Sequence, residues 1–146
     1  RVRDDLQREA DTEAERALRM QLMQHILDAN AFEVPQSMVA NYLERVMPTR
    51  EGADEERVKG ARMEMWPAAE QAIKRSLVVE RIAEMEALHA SAGEIDARVD
   101  TIAERLGRPR GEVLGQLRKS GRIDEMEQEI TEEKVFQYLK SLSDVQ

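Results

Sequence analysis

QHILDANAFEVPQSMVANYL, residues 24–43, ends one charged amphipathic helix and leads through Phe32, Val34 and Pro35 into another. Asp28, Ala29 and Asn30 are expected to close the first helix, with Asn30 able to take a left-handed cap conformation. Pro35 forces Val34 into extended geometry and fits the first turn of the next helix, where a missing N–H costs nothing. Working back from this elbow, Leu6, Ala10, Ala14, Leu18, Leu22 and Ile26 recur every fourth residue, so Val2 to about Asn30 reads as one helix. Met20, Met23 and Leu27 widen its apolar face toward the elbow. At about 1.5 Å per residue it is roughly 40 Å long, and an elongated chain is expected.

Forward of the elbow, Pro35 to about Met47 forms a second helix stopped by Pro48, and Thr49 to Asp54 is a polar turn around Gly52. Glu55 to His89 carries Trp66, Ala69, Ile73 and Leu77 on one helical row and Val78, Ile82 and Met85 on an adjoining one. Pro67 is expected to kink or divide it. Ser91 and Glu94 have capping-box spacing, so a helix starts near Ala92 and ends at Leu106-Gly107. Pro109 opens a short helix that Gly121 closes, and Arg122 to about Leu142 is the last. No strand signal competes. The predicted fold is all-α, a multi-helix chain with long helices and protruding arms.

Two stretches resemble the C-terminal domain of trigger factor, the ribosome-associated bacterial chaperone. One is the helix closing on Leu27 followed by Ala31-Phe32-Glu33-Val34-Pro35 and Val39. The other runs from Ala72-Ile73-Lys74-Arg75-Ser76-Leu77-Val78-Val79-Glu80-Arg81-Ile82-Ala83 through Glu94-Ile95-Asp96, Ile102-Ala103, Val113 and Leu117 to Ile130 and Val135. The resemblance covers nearly the whole chain and implies one substrate-binding helical domain over residues 1–146. Gly93 beside the capping serine and the Met47-Pro48-Thr49-Arg50 stop are not features of the resemblance. The family's ribosome-docking loop and FKBP-type prolyl isomerase domain have no counterpart here. Contact with the ribosome is therefore expected only through domains outside these residues. The chain opens on Arg1 rather than Met, so a piece of a longer protein is expected.

Composition limits the function classes. Of 146 residues, 36% are charged, 41% hydrophobic and only 3% aromatic, a mixture that favours helices. A net charge of −8 disfavours nonspecific attraction to nucleic acid or anionic membranes. The absence of cysteine excludes a disulfide scaffold and a thiol nucleophile, and it fits a reducing, cytoplasmic setting. No apolar run approaches the roughly 20 residues that span a bilayer.

Nothing in the sequence reads as a catalytic, metal or cofactor site. His25 and His89 are the only histidines and lack metal-ligand spacing, and there is no phosphate-binding glycine loop. The run Glu125, Glu127, Glu129, Glu132 and Glu133 reads as solvated helix faces. Ile102 to Val113 has the outline of a helix-turn-helix within a locally basic stretch, and Arg108, Arg110 and Arg118 would be its DNA contacts. Against that reading, Arg108 and Gln116 occupy places the motif usually fills with apolar residues.

What remains is the holding of other chains. Eight methionines offer flexible side chains that adapt to varied partners, or serve as filler between helices. The candidate contacts with client polypeptide are Met38, Tyr42, Val46 and Met47 on the second helix, Met63 and Trp66 near Pro67, and Phe136 and Leu139 on the last helix. These are chosen from helical faces. The expected activity is ATP-independent binding of apolar segments of unfolded or nascent polypeptide, without enzymatic function. A weak homodimer is left open. A periplasmic parvulin-type helical domain and a helix-turn-helix or adaptor module are the alternatives, and the domains upstream would decide among them.

Overall fold

The computed structural model describes residues 1–144, which form six helices and no strand. They are α1 (Val2–Ala29), α2 (Gln36–Val46), α3 (Glu55–Glu86), α4 (Ala92–Leu106), α5 (Arg110–Lys119) and α6 (Arg122–Asp144). The chain divides into two compact units, one up to Val78 and one from Val79 onward.

In the first unit the elbow is the core. Val34, just before Pro35, is buried with Val39 and Leu43 of α2 and with Ala69 and Ile73 of α3. Phe32, Tyr42, Met47 and Trp66 pack around this cluster. Each helix contributes a pair of buried residues four apart, which lie one above the other on a single face. α1 buries only Met23, near its end, while Val2 and Leu6 stand exposed.

Three local expectations need correction. Asn30 closes α1 at φ −127°, not in the left-handed region; its side-chain amide and its backbone N–H both donate to the Ile26 carbonyl, at 3.0 and 3.1 Å. Two hydrogen bonds to an otherwise orphaned carbonyl make the special conformation unnecessary. Pro35 is the N-cap of α2 rather than a residue of its first turn. Pro67 does not divide its helix, since α3 runs unbroken from Glu55 to Glu86. The missing N–H removes one hydrogen bond, and the residues on either side supply enough others to carry the helix through.

The stop after α2 has a physical basis in a residue fifteen positions away. Arg62 of α3 donates from Nη2 to the Met47 carbonyl at 2.9 Å and to Thr49 Oγ1 at 3.1 Å, capping the end of α2 with positive charge.

The second unit is built on α4, α5, α6 and the end of α3. Val99 and Ala103 of α4, Val113 of α5, and Met126 and Ile130 of α6 form its buried cluster. The capping box at Ser91 is present in both directions, with Glu94 N–H donating to Ser91 Oγ at 3.1 Å and Ser91 N–H to Glu94 Oε1 at 3.0 Å. Lys134 of α6 donates to the same Glu94 oxygen at 2.8 Å and to the His89 carbonyl at 3.2 Å. The buried Thr131 hydroxyl accepts from the Ala90 N–H at 3.0 Å. Gly107 ends α4 in the left-handed conformation at φ 63°, as its position in the sequence implied.

Candidate binding groove

On α2, Met38, Asn41, Tyr42 and Arg45 fall three, four and seven residues apart and so share one face. They look across at Ala72, Ile73, Ser76 and Leu77 of α3, and the two rows line an open groove of about 380 Å³. That volume lies at the low end of the roughly 300–1,000 Å³ range of small-ligand sites, enough for a few side chains of one segment. Ile73 is also part of the buried cluster, while Met38 at 39% and Leu77 at 38% exposure form accessible edges. The Arg45 guanidinium lies 5.5 Å from the centre of the Tyr42 ring, within cation–π range.

The lining has little reactive chemistry. Ser76 and Tyr42 bring its hydroxyls, with no histidine or carboxylate in the lining to activate them. The groove can supply apolar contact, the amide of Asn41, the hydroxyls of Tyr42 and Ser76, and one positive charge. Among the described residues, no group of three or more histidine, cysteine or acidic side chains could hold a metal ion. No helix among them is long and apolar enough to cross a membrane.

The residues chosen from the sequence are distributed unevenly. Met38 and Tyr42 meet in the groove. Val46 is half exposed and Met63 largely exposed, on α2 and α3 respectively. Met47 and Trp66 are partly buried against the first unit's core. Leu139 lies partly buried on α6, and Phe136 is only 7% exposed. Asn41, Arg45, Ala72, Ile73, Ser76 and Leu77 also line the groove and were not among the candidates chosen from the sequence. Ile73 and Leu77 had been placed on one apolar row, but nothing in the spacing said that this row faces α2.

Part of the locally basic stretch of the second unit is paired. Arg108 donates to Glu112 at 3.0 Å and to Gln116 at 3.3 Å. Arg110 bridges Asp96, at 2.8 Å, and Asp100; the Asp100 hydrogen bond and both negative charges push its already high pKa further up. Two of the three arginines that a DNA-reading helix would use are thus held by neighbouring side chains.

A family model described as bacterial trigger factor protein (TF) C-terminus matches residues 1–141. The chain is 25% identical to the trigger factor of Rhodopirellula baltica over 99% of its own length and 32% of that protein's. It is 27% identical to that of Anaeromyxobacter dehalogenans, covering all of this chain and 36% of the relative, and 31% identical to that of Desulforudis audaxviator over 70% of this chain and 27% of the relative. No solved structure matches significantly. The fold defines an all-helical class of chain, here with an open groove between two helices. More particularly, the chain belongs to the bacterial trigger factor C-terminal family. It spans about a third of the length of the first relatives it matches.

Proposed function

We propose that this chain is the client-holding part of an ATP-independent chaperone, binding apolar segments of unfolded or nascent polypeptide in the cytoplasm and keeping them from aggregating. The observation that carries the reading is the groove between α2 and α3, whose apolar walls end in the exposed Met38 and Leu77. Membership of the trigger factor C-terminal family supports the same reading. Val46 and Met63 extend the contact surface on the same two helices. The chain acts without chemistry of its own; prolyl isomerisation and ribosome docking belong to other parts of the full-length protein.

Energetics set the mode of action. Apolar burial yields about 25 cal/mol per Å², so a patch of a few hundred Å² gives only a few kcal/mol before the entropy of ordering the client is subtracted. Each contact is therefore weak and short-lived. Firm holding requires several patches on one client, because the first contact raises the effective concentration for the next. Light scattering from a denatured test protein, without nucleotide, tests the proposal. The parent chain suppresses aggregation, and Met38→Ser with Leu77→Ser loses at least half of that suppression at unchanged helicity. A parent that suppresses nothing, or a double variant as active as the parent, would refute it.

A further inference from the structure

We infer that the α2–α3 groove selects apolar segments that carry an acidic side chain about three residues from the apolar anchor. This rests on the proposed client-holding role and names the client chemistry of the same site.

Arg45 is the only charged residue that lines the groove. The positions three and four residues from it on α2 and just beyond are Asn41, Tyr42, Pro48 and Thr49, none of which is a carboxylate. No ion pair to Arg45 occurs among the described residues, and its guanidinium rests over Tyr42 instead. Several other cations are already paired, though none of these lines the groove and only Lys74 lies beside it, on α3. Lys74 pairs with Glu70, Arg98 with Glu133, Arg108 with Glu112, and Arg110 with Asp96 and Asp100. The groove thus presents an apolar floor and an unneutralised positive charge at one end, a charge pattern complementary to an apolar-acidic segment.

Geometry sets the spacing. Met38 and Arg45 are seven residues apart on α2, about 10 Å along its axis at a rise of about 1.5 Å per residue. A segment in polyproline II geometry rises about 3.1 Å per residue and returns to the same face every third residue, so three residues cover about that span with both side chains facing the groove. An apolar side chain seated by Met38, Tyr42 and Leu77 therefore brings a carboxylate three positions away to the guanidinium. Asn41 and Ser76, also in the lining, offer hydrogen bonds to the segment's backbone groups. The chain's net charge of −8 repels acidic peptides at a distance, but the Debye length of about 8 Å at physiological ionic strength leaves the contact itself to Arg45.

The test uses the 146-residue chain and three fluorescein-labelled nine-residue peptides that share a Leu-Phe anchor and carry Glu, Gln or Lys three positions away. Fluorescence anisotropy is expected to rank them Glu, Gln, Lys in falling affinity, with the Glu peptide roughly two- to five-fold tighter than the Gln peptide, the range of an exposed ion pair. Arg45→Gln should abolish the difference between Glu and Gln, and Arg45→Glu should place Lys first. Far-ultraviolet circular dichroism and a urea titration keep loss of fold distinct, because Arg45 also lies in the last turn of α2, where a cation favours the helix. Equal binding of all three peptides by the parent, weakened by Leu77→Ser, overturns the acidic selectivity and leaves the client-holding role standing. Absence of binding by any peptide overturns both. A Glu preference that persists in Arg45→Glu overturns the assignment to this groove.

Discussion

Ala87 carries a backbone φ of 53°, the only described non-glycine residue in the left-handed region. It ends α3, and the Leu88 N–H that follows donates to the Ala83 carbonyl at 2.9 Å, the bond that closes a helix of this kind. A Cβ in that conformation costs roughly 1–2 kcal/mol, partly offset because alanine restricts the unfolded chain more than glycine does. Ala87→Gly is accordingly expected to raise stability by about 0.5–1 kcal/mol in a urea titration. Seven residues on, Glu94 has its carboxyl pKa drawn down to about 2 by the hydrogen bond from Lys134 first and then by the Ser91 N–H and hydroxyl. A lowered carboxylate pKa contributes stability above the ordinary value of 4.5 and loses it as pH falls through the folded value. The difference in melting temperature between the parent and Glu94→Gln should therefore be full at neutral pH and shrink between about pH 4.5 and 2. A difference independent of pH across that window would contradict this assignment.

Pro67 tests the helix that carries one wall of the groove. It lies inside α3 and cannot donate to the carbonyl four residues earlier, that of Met63. Pro67→Ala restores that donor and should stabilise the chain by up to about 3 kcal/mol, read from the denaturation midpoint of Trp66 fluorescence, the chain's single tryptophan. At this scale the sequence was legible where a signal is local. The capping box at Ser91 and Glu94 and the left-handed Gly107 both follow from chemistry within a few residues. Where a partner is distant, the sequence was silent. The Arg62 bond that caps α2 spans fifteen positions, and the facing of Met38 and Tyr42 toward Ile73 and Leu77 spans thirty or more. Helical spacing assigns residues to rows, but it does not say which rows meet. Phe136 shows the same limit: its exposure of only 7% follows from packing that no local signal gives.

Across the molecule, two separate buried clusters leave several large apolar side chains exposed, and exposure alone does not make a binding site. Met20 at 64%, Met63 at 68% and Met85 at 67% are comparably accessible, whereas Met23 and Met126 are buried. The proposed function separates these residues by place. Met38 lines the groove and Met63 lies on α3 of the same unit, while Met20 and Met85 have no assigned role. The eight methionines therefore report on the central claim directly, through their methyl signals in a carbon–proton NMR spectrum of the chain titrated with a permanently unfolded polypeptide and no nucleotide. The predicted result is a concentration-dependent shift of the Met38 and Met63 methyls, with Met20, Met85, Met23 and Met126 unmoved. Shifts that follow exposure alone, with Met20 and Met85 moving as far as Met38, or no shift at any methyl, would contradict client binding at the α2–α3 groove.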